Sequence, residues 1–265
     1  MYKILFVSAL NTELKVVKQE IKKISQKEFD IDFFAHWVGN YSTILQLTKT
    51  LSQKKYDFVI NIWVCGYKTP PNLPLSGEGK YIPEKVIQVA HSYNLANKKE
   101  IIYPIVLEFA ALKSISCSEI PVFEPKVLWE YNFVDMESYG FEKVCESFKV
   151  ARISLKVPVD KVWEETKNFD ISYAQWLLEK NIDYEKLLTK INKYLEKLPK
   201  KYNPEKYSEL FSFTFSEKII FEKWYYKFVS LFVWEDFEDF FQENKHLEKK
   251  KFLEALKNKL SEYKI

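Results

Sequence analysis

Two kinds of apolar pattern alternate along the first two hundred residues. Short continuous runs rich in β-branched and aromatic residues predict buried strands at Lys3–Ala9, in "FDIDFFAHWVG", in "YDFVINIWVCGY" and from Val150 to Val157, the last bounded by Pro158. Between them lie segments with helical spacing. Leu14, Val17, Ile21 and Ile24 recur on one face, "STILQLTKTLSQK" predicts a second helix, and further helices are expected at Ser138–Phe148 and from about Asp183 to Leu198. "EKVIQVAHSYNL", "KEIIYPIVLEF" and "LKSISCSEIPVF" read as strands, and the proline- and glycine-rich "KTPPNLPLSGEGKYIP" reads as a loop. This alternation predicts an α/β fold around a central sheet.

From Pro204 onward no strand pattern recurs. Phe221, Trp224, Phe228, Leu231 and Trp234 fall at helical steps, as do Leu247, Phe252, Leu256 and Leu260 in the tail. An aromatic stripe at that spacing is core packing before it is a ligand box. The expected division is an α/β domain over 1–200 and a helical extension over 201–265, with the boundary near "LPKKYNPEKY".

Composition narrows the chemistry. Of 265 residues 47% are hydrophobic, enough for a sizeable core, and the formal net charge of +3 gives no global pull toward nucleic acid or a membrane. Arg152 is the only arginine and lies inside a predicted strand, which removes the bidentate fork that phosphate sites favour. Cys65, Cys117 and Cys145 show neither disulfide nor zinc spacing, so a reducing cytoplasm is expected and no metal or other cofactor is. "MYKILFVSAL" is too short to span a membrane and reads as a first strand. His36, His91 and His246 read as packing or surface residues, Asn61 as a loop anchor, and "KKKF" as a solvated helix face.

The chemistry-bearing candidates are carboxylates. Asp135 and Glu137 flank Met136 at the head of a predicted helix, and Asp160 follows an apolar strand, where α/β proteins bind ligands. The plain alternative is that the first two favour a helix N-terminus and Asp160 caps the next helix.

Taken in order, "FVSALNTEL", "WVGNYST", "DFVINIWVCGY" and "VDMESYGFEKVC" followed by "LKVPVD" resemble the purine nucleoside phosphorylase and nucleosidase superfamily, nearest to the methylthioadenosine/S-adenosylhomocysteine nucleosidases. The resemblance covers roughly Tyr2 to Leu198. It implies a three-layer α/β/α sandwich around a twisted mixed sheet, and hydrolysis of the N-glycosidic bond of a purine nucleoside such as methylthioadenosine. Residue by residue it implies Glu13 as the water-activating base, Glu137 on the ribose hydroxyls with Met136 beside the sugar, Ile120 in the purine-facing loop, and Asp160 as the acid that protonates the departing base. A homodimer is the most it implies for assembly, with the C-terminal helices as candidate contributors.

The chain also departs from that pattern. Trp63, Val64 and Tyr67 stand where the family has small or hydroxyl residues, and Trp37-Val38-Gly39-Asn40 keeps one glycine of a glycine-rich loop. Phosphorolysis is therefore not expected, and a decayed site on a retained fold, serving as a nucleoside binder or as a scaffold that binds a partner through its extension, is the alternative to a hydrolase.

Overall fold

A computed structural model describes residues 1–24, 28–68, 85–122, 128, 131–162, 170–198, 204–232 and 237–262. The chain divides into two compact units, Met1–Tyr103 with Leu107–Ile191, and Pro104–Val106 with Asn192–Ile265.

The first unit is a mixed α/β structure. Its strands are β1 (Tyr2–Ser8), β2 (Phe29–Ala35), β3 (Phe58–Tyr67), β4 (Ile87–Asn94), β5 (Lys99–Ile102), β6 (Ala111–Cys117), β7 (Phe133–Asp135) and β8 (Ala151–Lys161). They form one sheet in the order β2-β1-β3-β7-β6-β4-β5, with β8 pairing both β3 and β4. The pairings β3-β8-β4-β6-β7 therefore close on themselves. Parallel pairing of β1 with β2 and β3 follows from the helical crossovers α1 (Asn11–Lys23) and α2 (Asn40–Gln53); β8, which follows α3 (Ser138–Phe148), also runs parallel to β3. One sheet face, carrying Leu5, Val7, Val59, Cys65 and Tyr67, packs with Leu47 and Leu51 of α2 and Phe141, Val144 and Cys145 of α3.

Several elements differ from expectation. The strand predicted to stop at Pro158 continues to Lys161, because Pro158 falls beyond the short pairing with β4 (Ile87↔Lys156, Gln88↔Leu155) and its missing N–H deprives no partner on that side. A bulge follows, where Cys65↔Pro158 gives way to Gly66↔Asp160. β7, only three residues long, is not among the expected strands. β5 is shorter than predicted, and β2 ends before His36. α4 (Ile171–Asn181) carries its own cap, Asp170, which accepts from Ser172 and Tyr173 N–H. It precedes α5 (Tyr184–Lys197), which matches the last predicted helix. Most of the predicted proline-rich loop and Trp234 lie outside the described residues.

The second unit holds α6 (Pro204–Ser208), α7 (Phe215–Leu231), α8 (Phe237–Asn244) and α9 (Lys249–Ser261). As the stripe predicted, Phe221, Phe228, Leu231, Phe252 and Leu256 are buried in one aromatic core, with Trp224, Leu247 and Leu260 packed against it. α7 starts in a capping box between Thr214 and Glu217. Among the described residues no helix is long and apolar enough to cross a membrane.

Back in the first unit, the N-termini of α2 and α3 touch. Asn40 Oδ1 accepts from Gly140 N–H at 2.6 Å, and a Cβ on Gly140 would stand 2.8 Å from the Asn40 carbonyl oxygen. Gly140→Ala should cost about 1 to 3 kcal/mol in a denaturant titration despite alanine's better helix propensity. A neutral or stabilising effect would mean that the two helix ends are not in close contact.

Candidate active site

Five ionisable side chains converge where β1, β7 and β8 meet the N-termini of α1, α2 and α3. Glu13 lies in the first turn of α1 but points inward, and its Oε2 accepts from the Ser8 hydroxyl at 2.8 Å. Glu137 is the N-cap residue of α3. Its Oε1 accepts from Gly39 N–H at 3.1 Å and its Oε2 from Met136 N–H at 3.3 Å, which ties the α3 cap to the start of α2. Gly39 holds φ +100°, a conformation costly for other residues.

Asp135 ends β7 and has two tasks. It accepts from the Ser138 N–H and hydroxyl, serving the N-terminus of α3, and its Oδ2 lies 2.6 Å from Lys156 Nζ. That second contact has ion-pair distance without hydrogen-bond alignment. Lys156, from the middle of β8, and Asp135 are both sealed from solvent at the side chain. His36 follows β2, is fully buried, and faces Trp37 O and Thr43 Oγ1 with Nδ1 at 2.9 and 3.0 Å. Thr43 Oγ1 already donates to Gly39 O, so Nδ1 carries the proton and Nε2 is left as an unprotonated acceptor.

Burial governs the charge state of this cluster. It pushes the Glu13 carboxyl well above the usual carboxylate range; the Ser8 hydrogen bond opposes this, the Glu137 charge adds to it, and Lys156 opposes it. Burial and the neighbouring Asp135 charge raise Glu137 to about 7, against Lys156 and the two backbone donors. For Lys156, burial acts to lower its pKa but the Asp135 and Glu137 charges outweigh it, leaving the ammonium above its ordinary value. His36 is lowered to about 4 by burial and stays neutral. Glu13 Oε1, His36 Nε2 and Asn61 Oδ1 are buried without hydrogen-bond partners, an unusual concentration of unmet polar capacity.

The structure thus brings Glu13 and Glu137 together, with Met136 half-buried between Asp135 and Glu137. Asp160 lies further along β8, beyond the bulge. Register neighbours share a sheet side, and Lys156 pairs with Trp63 on the side of Cys65 and Tyr67, whereas the bulge pairs Asp160 with Gly66. Consistently, a Cβ on Gly66 would lie 3.6 Å from Asp160 Oδ2, among Val134 and Val162, on the side of β7 away from Asp135. Asp160 therefore lies within β8 rather than past its end, and Asp170 rather than Asp160 caps α4. Ile120, 71% exposed, stands after β6 with its N–H toward Ser118 Oγ.

Lys156 is not among the sequence candidates, and His36 figures there only as a packing or surface residue. The signal was present in the period-2 run "ARISLKVPVD", whose Arg152, Ser154 and Lys156 alternate with Ile153, Leu155 and Val157; a lysine in a buried strand needs a buried partner. Arg152 has such a partner, forming a two-pronged pair with Glu142 of α3, and so is committed to packing. Trp63 is buried beside Lys156, filling room on this face. Among the described residues no group of three or more His, Cys, Asp or Glu is placed to hold a metal ion.

No family model and no curated protein matches the sequence. Solved structures do. A 5′-methylthioadenosine/S-adenosylhomocysteine nucleosidase from Campylobacter jejuni superposes with TM-score 0.56 at 14% identity, over 75% of this chain and 100% of that one. A futalosine hydrolase mutant from Helicobacter pylori gives 0.58 at 12%, over 73% and 100%. The nucleosidase of Chlamydia trachomatis gives 0.54 at 16%, over 72% and 99%. At these identities the likeness establishes the nucleoside phosphorylase-like fold, as the resemblance implied.

A carboxylic acid whose folded-state pKa is raised binds its proton more tightly folded than unfolded. Its favourable contribution is complete below about pH 4.5 and is lost as pH rises to about 7. Glu137→Gln should therefore flatten the fall in melting temperature between pH 5 and 7.5 and raise it at pH 8 by about 2 to 6 °C. A variant with the same pH profile as the parent would show that Glu137 is not the group responsible.

Proposed function

We propose that the α/β unit binds a purine nucleoside and hydrolyses its N-glycosidic bond. The observation that carries this reading is the meeting of Glu13 and Glu137, from opposite ends of the unit's sequence, in one sheltered cluster on a fold shared with nucleosidases. Their hydrogen bonds suit different roles. Glu13 has one oxygen held by Ser8 and the other without a partner, so it is oriented yet able to accept a proton from water. Glu137 is fixed by two backbone donors and keeps lone pairs for the ribose hydroxyls. Burial raises the pKa of both carboxyls and the Lys156 ammonium opposes this; Glu13 acts in its ionised form, which positive charge developing on the ribosyl carbon also favours.

Lys156 favours a second reading, because an ammonium inside this cluster already neutralises a carboxylate and Trp63 narrows the same face. In it the chain binds nucleosides without cleaving them.

Purified protein should release free ribose from a nucleoside without added phosphate, since Arg152 is occupied by Glu142. Glu13→Gln should lower kcat by about 100-fold or more with little change in melting temperature. Turnover that requires phosphate and yields ribose 1-phosphate would contradict the role given to Glu13; tight nucleoside binding without ribose release would support the second reading.

A further inference from the structure

The chain leaves β2 through His36 and Trp37, and this short segment touches the supports of both carboxylates. His36 N–H donates to the Ser8 carbonyl and Trp37 N–H to that of Ala9, each at 3.0 Å, while the Ser8 hydroxyl holds Glu13. Trp37 then takes φ +71°, a left-handed conformation that a bulky residue adopts only under constraint. Its side chain is 70% exposed, so packing of the indole does not supply that constraint. Two residues on, Gly39 presents its N–H to Glu137 Oε1.

The turn is braced from inside by His36. The fully buried ring directs Nδ1–H at Trp37 O, 2.9 Å away, and at Thr43 Oγ1, 3.0 Å away, and the Thr43 hydroxyl and N–H both close on Gly39 O at 2.9 Å. The carbonyls of Trp37 and Gly39 are thereby fixed, and the peptide that carries Gly39 N–H lies between them. Nε2 has no hydrogen-bond partner, so the ring acts on the turn through Nδ1.

We propose that His36 is a positioning residue for Glu137: it holds the Trp37–Gly39 turn in its left-handed path and so fixes the backbone donor that orients the carboxylate assigned to the ribose hydroxyls. The part played by ribose rests on the hydrolase reading; the bracing of Glu137 does not. Without the Nδ1 donor the strained Trp37 backbone relaxes toward negative φ and carries Gly39 N–H away from Glu137. A backbone donor favours the charged form of a carboxylate, so Glu137 becomes harder to ionise, while Asp135, Lys156 and Glu13, the titratable groups that act on it, are unchanged.

Titrating the Glu137 carboxyl of the full chain by carbon NMR, with Glu137→Gln to assign its signal, tests this. His36→Leu fills the ring's place without a donor and should move the midpoint upward from about 7 by about half a pH unit or more. His36→Asn, whose amide can donate from near the Nδ1 position, should leave the midpoint where the parent has it. Adding Trp37→Gly to His36→Leu should bring it back toward the parent's value, because glycine takes a positive φ unaided. With a nucleoside substrate, His36→Leu should raise KM by about 10-fold or more with kcat within about 3-fold, and His36→Asn should restore KM. If His36→Leu does not fold, Thr43→Val, which removes the hydroxyl from Gly39 O, is judged by the same titration. An unmoved Glu137 midpoint in the folded variant, or one moved as far by His36→Asn, would reduce His36 to a packing residue and overturn the proposal. Should no nucleoside be cleaved or bound, the hydrolase reading fails, and the titration decides the role of His36 by itself.

Discussion

A lysine ammonium in a protein interior must have a counter-charge within a few ångströms, and meeting that demand for Lys156 organises the centre of the α/β unit. Asp135 supplies the charge from β7, and the same carboxylate serves the N-terminus of α3. One side chain thereby links two strands and a helix. Because Asp135 is fixed, Glu137 two residues later reaches the N-H of Gly39 at the head of α2, and Asn40 next to it meets Gly140 of α3. Removing either partner of the ion pair leaves an uncompensated buried charge, so the cluster is held as a unit rather than as separate contacts.

The same arrangement sets the chemistry. Carboxyl groups crowded in a dry site are driven toward neutrality, and one ammonium among them keeps part of the negative charge in place. The unpartnered atoms Glu13 Oε1, His36 Nε2 and Asn61 Oδ1 represent hydrogen-bonding capacity that packing leaves unmet, and polar ligand groups are its natural complement.

Much of this was legible in the chain. The parallel strands announce themselves as apolar runs, the helical spacing predicts α3 at its observed bounds, and Glu13 and Glu137, which the ordered blocks of resemblance single out, lie in one buried cluster. What misled was local. Pro158 was read as a strand terminator, although a proline is tolerated where a strand has lost its neighbour on one side. The bulge after it then inverts which way Asp160 points, and no sequence pattern reports a one-residue change of register. Lys156 went unnoticed because a single charge inside an apolar run is overshadowed by its neighbours, although its alternation with Arg152 and Ser154 marks the polar side of β8. The three residues of β7 are too few to carry a periodicity of their own.

The central claim is that Glu13 and Glu137 belong to one site that holds a nucleoside at its ribose. A crystal structure of the protein with a purine nucleoside, or with ribose and a free purine together, tests it most directly. The account predicts ribose hydroxyls within hydrogen-bond distance of the Glu137 carboxylate and a water held by Glu13 on the far face of C1′. A ligand seated elsewhere, touching neither Glu13 nor Glu137, would contradict it.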